Sequence, residues 1–161
     1  MKEYDKLVEE YCSAIKNHFR DRLISICLFG SVARGEAKAE SDIDILVIAE
    51  ALPMDMGMRI KETNYIHENL KRSEGYISLR SHRSGLITDI FFIPEEIEKH
   101  PPILLDIVDE GVIFYDRSSF LSNTLKRLKE RLELQKARKV KTRKGHFWIL
   151  KDVKPGEVVE I

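Results

Sequence analysis

A glycine-serine pair directly after an apolar run is the first feature of the chain with the chemistry of a binding site. Gly30 and Ser31 follow residues 24–29, whose apolar character predicts a buried strand. Because glycine has no side chain, the backbone at Gly30 can turn sharply and come close to a ligand. Backbone N–H groups at such a turn, with the Ser31 hydroxyl beside them, suit phosphate oxygens. Alone, such a pair most often marks an ordinary turn.

A pair of aspartates follows after a short spacer. Asp42 and Asp44 stand at the start of the apolar run 43–48, which is predicted to form a second strand. Alternate strand residues face the same side, so both carboxylates are expected on one face. Two carboxylates repel each other, and divalent cations between them would offset that cost, since Mg²⁺ is held by one or two carboxylates together with substrate phosphates. Side by side, the two motifs supply what nucleotidyl transfer needs.

In this order and at this spacing, the motifs closely resemble the signature of the nucleotidyltransferases of the DNA polymerase beta superfamily. The likeness is greatest to the minimal nucleotidyltransferases of archaea and bacteria. It covers about residues 23–93, with a thinner match over 103–116. The matching residues are Gly30-Ser31, then Ala33-Arg34-Gly35, then Ser41-Asp42-Ile43-Asp44.

The resemblance implies roles for individual residues of the two motifs. Nucleotide binding is implied for Gly30, Ser31, Arg34 and Ser41. Arg34 has a second interpretation, because it can pair with Glu36 or Glu40 as well as reach a phosphate.

A third carboxylate on a neighbouring strand is also implied by the resemblance. Asp89 is the candidate, because it lies in the β-branched and aromatic run 86–93, closed by Pro94, a poor place for an acid without a function. The alternative is an aspartate on an edge strand that faces water. With Asp89 included, the expected catalytic and metal-binding residues are Asp42, Asp44 and Asp89.

The implied reaction moves a nucleoside monophosphate, most simply AMP from ATP, to a hydroxyl group with release of pyrophosphate. Two Mg²⁺ ions, or Mn²⁺, between Asp42 and Asp44 would hold the triphosphate of ATP or another nucleotide. Asp89 would complete the metal site and orient or deprotonate the attacking hydroxyl. The acceptor is left open: a protein, an RNA, or a small molecule held at a homodimer interface.

A second function, from another class, is a nucleotide-binding regulatory or antitoxin subunit that binds a HEPN-type toxin. A subunit that only binds does not need three converging carboxylates, so the sequence favours catalysis.

Composition sets the limits of these interpretations. The chain has 161 residues, 27 Lys and Arg, and 27 Asp and Glu, so its net charge of zero gives no general attraction to nucleic acid. Residues 126–144 are strongly basic, which is typical of either a polyanion-binding surface or a solvated helix face. No signal segment or membrane-spanning run is evident, and we expect a cytoplasmic protein that does not bind membranes.

The apolar patterns predict alternating helices and strands, an α/β (α+β) fold. The resemblance implies that they form a nucleotidyltransferase fold, a mixed β-sheet flanked by helices. We expect a nucleotidyltransferase domain over 1–117, and a C-terminal long helix with a short β extension over 118–161, packed on the same domain. The predicted helices cover 3–19, 55–72, 102–110 and 118–139, and Gly75 is expected to end the second. Their predicted apolar faces are Leu7, Tyr11, Ile15 and Phe19 in the first, Met58, Tyr65, Ile66 and Leu70 in the second, and Leu121, Leu125, Leu128 and Leu132 in the last. The predicted strands cover 23–29, 43–48, 76–80, 86–93, 112–115, 145–150 and 157–161. Strands 76–80 and 86–93 are expected to be joined as a hairpin around 81–85, and strands 145–150 and 157–161 to be joined across Pro155-Gly156.

Overall fold

Helices and strands alternate along the chain, as the apolar patterns predict. The computed structural model of the protein describes residues 4–38, 41–80, 86–142 and 145–150. The helices in these ranges are α1 (Asp5–Phe19), α2 (Gly30–Ala33), α3 (Met56–Leu70), α4 (Glu74–Arg80), α5 (Pro94–Ile97), α6 (Leu104–Ile107) and α7 (Phe120–Leu134). The strands are β1 (Leu23–Phe29), β2 (Ile43–Ala49), β3 (Ile87–Phe92), β4 (Val112–Asp116), β5 (Arg138–Thr142) and β6 (Gly145–Ile149).

A four-stranded sheet with the order β3-β2-β1-β4 forms the centre of the fold. β1 pairs antiparallel with both β2 and β4, whereas β2 and β3 are parallel. The sheet is therefore mixed, which confirms the predicted fold class. β5 and β6 form a separate antiparallel pair.

Helices cover both faces of this sheet. Alternate residues of β2 enter different cores: Ile45 packs with the buried side of α1, and Leu46 packs with the buried side of α7. The predicted apolar stripe of α1 is confirmed, with Leu7, Tyr11, Ile15 and Phe19 all buried. The predicted leucine stripe of α7 is confirmed as well, with Leu121, Leu125, Leu128 and Leu132 buried. Among the described residues, every helix is too short or too polar to cross a bilayer.

The hairpin predicted over 76–80 and 86–93 is wrong, because its first half lies in helix α4. Gly75 does not end α3 but lies inside α4, where it packs against α1. A Cβ at Gly75 would stand 2.8 Å from the Leu7 Cα, so only glycine permits this close approach. The Gly75 N–H also donates to the Glu10 carboxylate at 2.9 Å. The predicted turn 81–85 lies outside the described residues.

The buried side of α3 differs from the predicted one. Met58 and Tyr65 are 60% and 66% exposed, although both were expected on the apolar face. Arg59 is buried instead, and its guanidinium donates to the Glu96 carboxylate at 3.0 Å. That bond lowers the cost of burying a charge, which an apolar pattern does not take into account. Ile66 and Leu70 are buried as predicted.

The C-terminal helix is shorter than predicted and is followed by a strand. α7 ends at Leu134, after which Lys136 takes a left-handed φ of 55°. Residues 138–139, expected in the helix, begin β5, which pairs with β6. The predicted strand 145–150 is confirmed as β6, but its partner is β5. The other predicted strand, 157–161, lies outside the described residues.

Candidate active site

The glycine-serine turn and the aspartate pair meet at one end of β1 and β2. Phe29, the last residue of β1, is paired in register with Asp44. Gly30 follows with a left-handed φ of 72° and begins α2. A Cβ on Gly30 would stand 3.0 Å from the Asp44 Cγ, so the glycine makes room for the carboxylate. Helix-start N–H groups without intrahelical partners and a carboxylate thus lie side by side.

The carboxylates of the pair lie in an electrostatic environment that favours a cation. Burial raises the pKa of Asp44 above its usual value, and the nearby Asp42 carboxylate raises it further. The Arg34 guanidinium acts in the opposite direction, and Asp106 on α6 raises the pKa as well. A positive charge between Asp42 and Asp44 would relieve this unfavourable energy.

The donor set of this pair fits Mg²⁺ bound together with a nucleotide. Both side chains offer carboxylate oxygens, the ligands that Mg²⁺ prefers, and one or two carboxylates are enough when phosphates and water complete the coordination. In the described part of the chain, no group of three or more His, Cys, Asp or Glu side chains is arranged to hold a metal.

The structure does not bring Asp89 to this pair. In the parallel register of β2 and β3, Asp89 is paired with Ile45, whereas Asp44 is paired with Thr88. Paired residues face the same side of a sheet, so Asp89 and Asp44 point to opposite faces. The three carboxylates therefore do not converge as expected. Convergence would require Asp89 to be paired with Asp44, a register one residue away from the observed pairing of β2 and β3.

Asp89 belongs instead to a partly buried polar cluster with α1 and α3. Its carboxylate accepts a hydrogen bond from the Tyr11 hydroxyl at 2.5 Å and lies 2.8 Å from the His67 Nε2. The hydrogen bond to Asp89 raises the pKa of His67, and burial followed by the charge of Asp89 raises the pKa of Tyr11. Tyr11 was expected only as part of the core, and no spacing pattern singles out His67.

Arg34 forms the ion pair with Glu36 that the sequence allows, and its guanidinium lies near the aspartate pair. Its Nε donates to the Glu36 carboxylate at 2.8 Å, and another guanidinium nitrogen lies 3.5 Å from the Glu110 carboxylate. The same guanidinium lowers the pKa of Asp44, so it is both paired and close to the carboxylates. Glu40 lies outside the described residues.

The two serines of the motifs have different surroundings. Ser31 lies half-buried in the first turn of α2, next to Gly30. The Ser41 hydroxyl accepts a hydrogen bond from the Lys38 N–H at 2.9 Å. This bond links Ser41, which directly precedes Asp42, to Lys38.

Two residues near Arg34 were not found from the sequence. Glu110, which follows α6, uses one carboxylate oxygen for Arg34 and the other for Lys139 of β5, 2.9 Å away. The signal that could have found Lys139 is the basic segment 126–144, but composition does not say which of its cations faces the site.

Comparison with known proteins agrees with the motifs and the fold. The family model described as a nucleotidyltransferase domain matches residues 8–144, most of the chain. The chain belongs to this nucleotidyltransferase family. The resemblance noted in the sequence is thereby confirmed.

The relatives of this nucleotidyltransferase include archaeal proteins named for adenylyl transfer. A Methanocaldococcus jannaschii protein, provisionally named a protein adenylyltransferase, is 34% identical over 131 residues, covering 80% of this chain and 82% of the relative. The protein adenylyltransferase MntA of Thermococcus cleftensis is 46% identical over 48 residues, 29% of this chain and 48% of MntA. A crystal structure described as the toxin-antitoxin MntA-HepT is similar in fold, with a TM-score of 0.43 and 17% identity over 80% of this chain and 92% of that one.

Proposed function

We propose that this nucleotidyltransferase transfers AMP from ATP to a hydroxyl group of a protein and releases pyrophosphate. The observation that carries the proposal is the contact between Gly30 and the Asp44 carboxylate, because it sets a phosphate-binding turn against a metal-binding pair. The names of the archaeal relatives support AMP as the transferred group and a protein as the acceptor.

Different residues of the site would bind the metal and the phosphates. Asp42 and Asp44 would hold Mg²⁺, which, when bound, neutralises charge on the triphosphate and on the leaving pyrophosphate. The N–H groups at Gly30 and Ser31 donate hydrogen bonds to phosphate oxygens, and Arg34 adds a positive charge beside them. The acceptor oxygen bonds to the α-phosphorus, the bond to the bridging oxygen of pyrophosphate breaks, and the hydroxyl proton leaves to water.

Asp89 is not needed in this scheme. Its carboxylate lies on the other face of the sheet and is already bonded to Tyr11 and His67. Two carboxylates with phosphate oxygens and water are a sufficient ligand set for Mg²⁺ in nucleotide sites.

The variant Asp44→Asn tests this function. It removes the metal-binding charge and keeps the shape, so we expect transfer to fall by about a hundredfold or more, as when a charge-stabilising group is lost from a preorganised site. The measurement is the labelling of proteins in a cell extract by ATP labelled at the α-phosphate. Asp21→Asn is the matched control, because Asp21 is exposed and precedes the opposite end of β1. Equal labelling by wild type and D44N would contradict the proposal.

A second candidate function is a subunit that binds a HEPN-type toxin. Exposed apolar side chains on α3 favour it, since Met56, Ile60 and Tyr65 are each at least 60% exposed and would suit a protein partner. In one crystal structure, described as the toxin-antitoxin MntA-HepT, MntA is present together with HepT. If binding alone neutralises the toxin, D44N neutralises it as well as wild type does, whereas AMP transfer predicts that D44N fails.

A further inference from the structure

Lys139 of the C-terminal hairpin, formed by β5 and β6, lies beside the candidate active site. We propose that Lys139 and Arg34 together bind the β- and γ-phosphates of the nucleotide, with Glu110 holding the two cations in position. The proposal rests on the proposed function and adds a residue that neither the motifs nor the comparisons assign. It makes the hairpin part of the active site.

The geometry places both cations on one carboxylate. The Lys139 Nζ lies 2.9 Å from one oxygen of Glu110, and an Arg34 nitrogen lies 3.5 Å from the other. Arg34 directly follows α2, the helix that Gly30 begins. The Lys139 ammonium is therefore one carboxylate away from the guanidinium that flanks the phosphate-binding turn.

The two cations share their carboxylates with one another and with their neighbours. Glu110 faces both cations, and Arg34 is also paired with Glu36, at 2.8 Å. Asp109 is 3.9 Å from the Lys139 Nζ but closer to Lys129, at 3.3 Å. Only 15% of the Lys139 side chain and 20% of the Arg34 side chain are exposed, so water screens these charges less than at an open surface. A triphosphate with one bound Mg²⁺ is still negatively charged, so it competes with these carboxylates for the two cations.

Packing fixes the direction of Lys139. It is paired in register with Trp148 of β6, and its ammonium lies 6.0 Å from the centre of the Trp148 ring. The indole N–H donates to the Leu105 carbonyl at 3.1 Å, which anchors the hairpin to the segment that leads to Glu110. A lysine held in this way loses less side-chain entropy on binding a phosphate than a freely moving one.

Binding of ATP and AMP in the presence of Mg²⁺ tests the proposal by titration calorimetry. AMP lacks the β- and γ-phosphates, so we expect Lys139→Gln to weaken ATP roughly tenfold or more, the worth of one charge-assisted hydrogen bond, and to leave AMP binding unchanged. Lys126→Gln on the exposed side of α7 makes the same change of charge and is the control. Equal ATP affinity of K139Q and K126Q, or equal losses for ATP and AMP, would overturn the proposal.

The double variant K139Q/E110Q distinguishes two reasons why K139Q could bind ATP weakly. One is the loss of a contact between Lys139 and phosphate, and the other is the Glu110 charge that is left without its lysine partner. If Lys139 binds phosphate, the double variant stays as weak for ATP as K139Q. Recovery of wild-type affinity would show that the single variant had only unmasked the Glu110 charge, and the proposal would be wrong.

Lysine acetylation of the wild-type protein gives an answer that does not depend on the folding of a variant. ATP with Mg²⁺ is expected to protect Lys139 from acetylation, read by peptide mass spectrometry, and to leave Lys126 unprotected. Equal reactivity of Lys139 with and without ATP would contradict the proposal. If ATP binds to neither wild type nor K126Q, the proposed function falls together with this inference; if it binds to both and K139Q matches them, only this inference falls.

Discussion

Gly30 is the residue on which the geometry of the candidate site depends most. Its backbone is left-handed, and its missing side chain leaves the space that the Asp44 carboxylate occupies. The motif alone predicts a turn at Gly30. It does not predict that the turn touches Asp44, because that contact follows from the pairing of Phe29 with Asp44.

The variant Gly30→Ala tests this contact. We expect it to lower the free energy of unfolding by about 1–2 kcal/mol from the left-handed backbone alone. Displacement of Asp44 would add to this loss and would also remove AMP transfer. Gly35→Ala is a matched control, since Gly35 has a φ of 69° but no atom within 4 Å of an added Cβ. Urea unfolding and AMP labelling measure the two effects, and equal activity of the two variants would show that the contact is unimportant.

At the level of secondary structure elements, the sequence predicts the strands of the central sheet better than it predicts how those strands pair. The runs that form β1, β2 and β3 were all recognised, as were the buried stripes of α1 and α7. The position of Asp89 was not predictable, because periodicity within β3 does not determine its register against β2. The helix α4 and the strand β5 were missed for another reason: each depends on contacts with distant residues, such as Gly75 with Leu7 and Lys139 with Glu110.

The cluster of Tyr11, His67 and Asp89 joins α1, α3 and β3 and makes their packing sensitive to pH. The hydrogen bond to Asp89 raises the pKa of His67 above 6.5 in the folded protein. The stabilisation by protonated His67 is therefore complete below the unfolded value and is lost as the pH rises through the folded one.

The variant His67→Gln tests this linkage between elements. We expect it to flatten the dependence of the unfolding free energy on pH above pH 6.5, because glutamine does not titrate. Urea unfolding of wild type and H67Q over a pH series provides the measurement. The same slope in both proteins would mean that the ion pair with Asp89 contributes nothing to stability.

At the scale of the whole molecule, the C-terminal extension shares a core with the sheet. The buried leucines of α7 pack in the same cluster as Leu46 and Ile48 of β2. We therefore expect the regions 1–117 and 118–161 to behave as one unit. The leucines of α7 face the core, so its cations lie on the outer face of the helix. For that part of the basic segment, this favours a solvated helix face over a polyanion-binding surface.

The net charge of the whole molecule does not contribute to nucleotide binding. The 27 basic and 27 acidic residues cancel, so the protein as a whole does not attract a nucleotide. Tight binding of ATP then has to come from the local arrangement of the candidate site, and we expect it to depend on the metal that Asp42 and Asp44 would hold.

Calorimetric titration of ATP with and without Mg²⁺, in wild type and D44N, is the most direct test of this arrangement. In wild type, Mg²⁺ is expected to strengthen ATP binding about tenfold or more, since metal bound to both carboxylates and phosphates links protein and ligand. In D44N this gain is expected to disappear. Equal ATP affinity of wild type with and without Mg²⁺, or the same gain in D44N, would contradict the account.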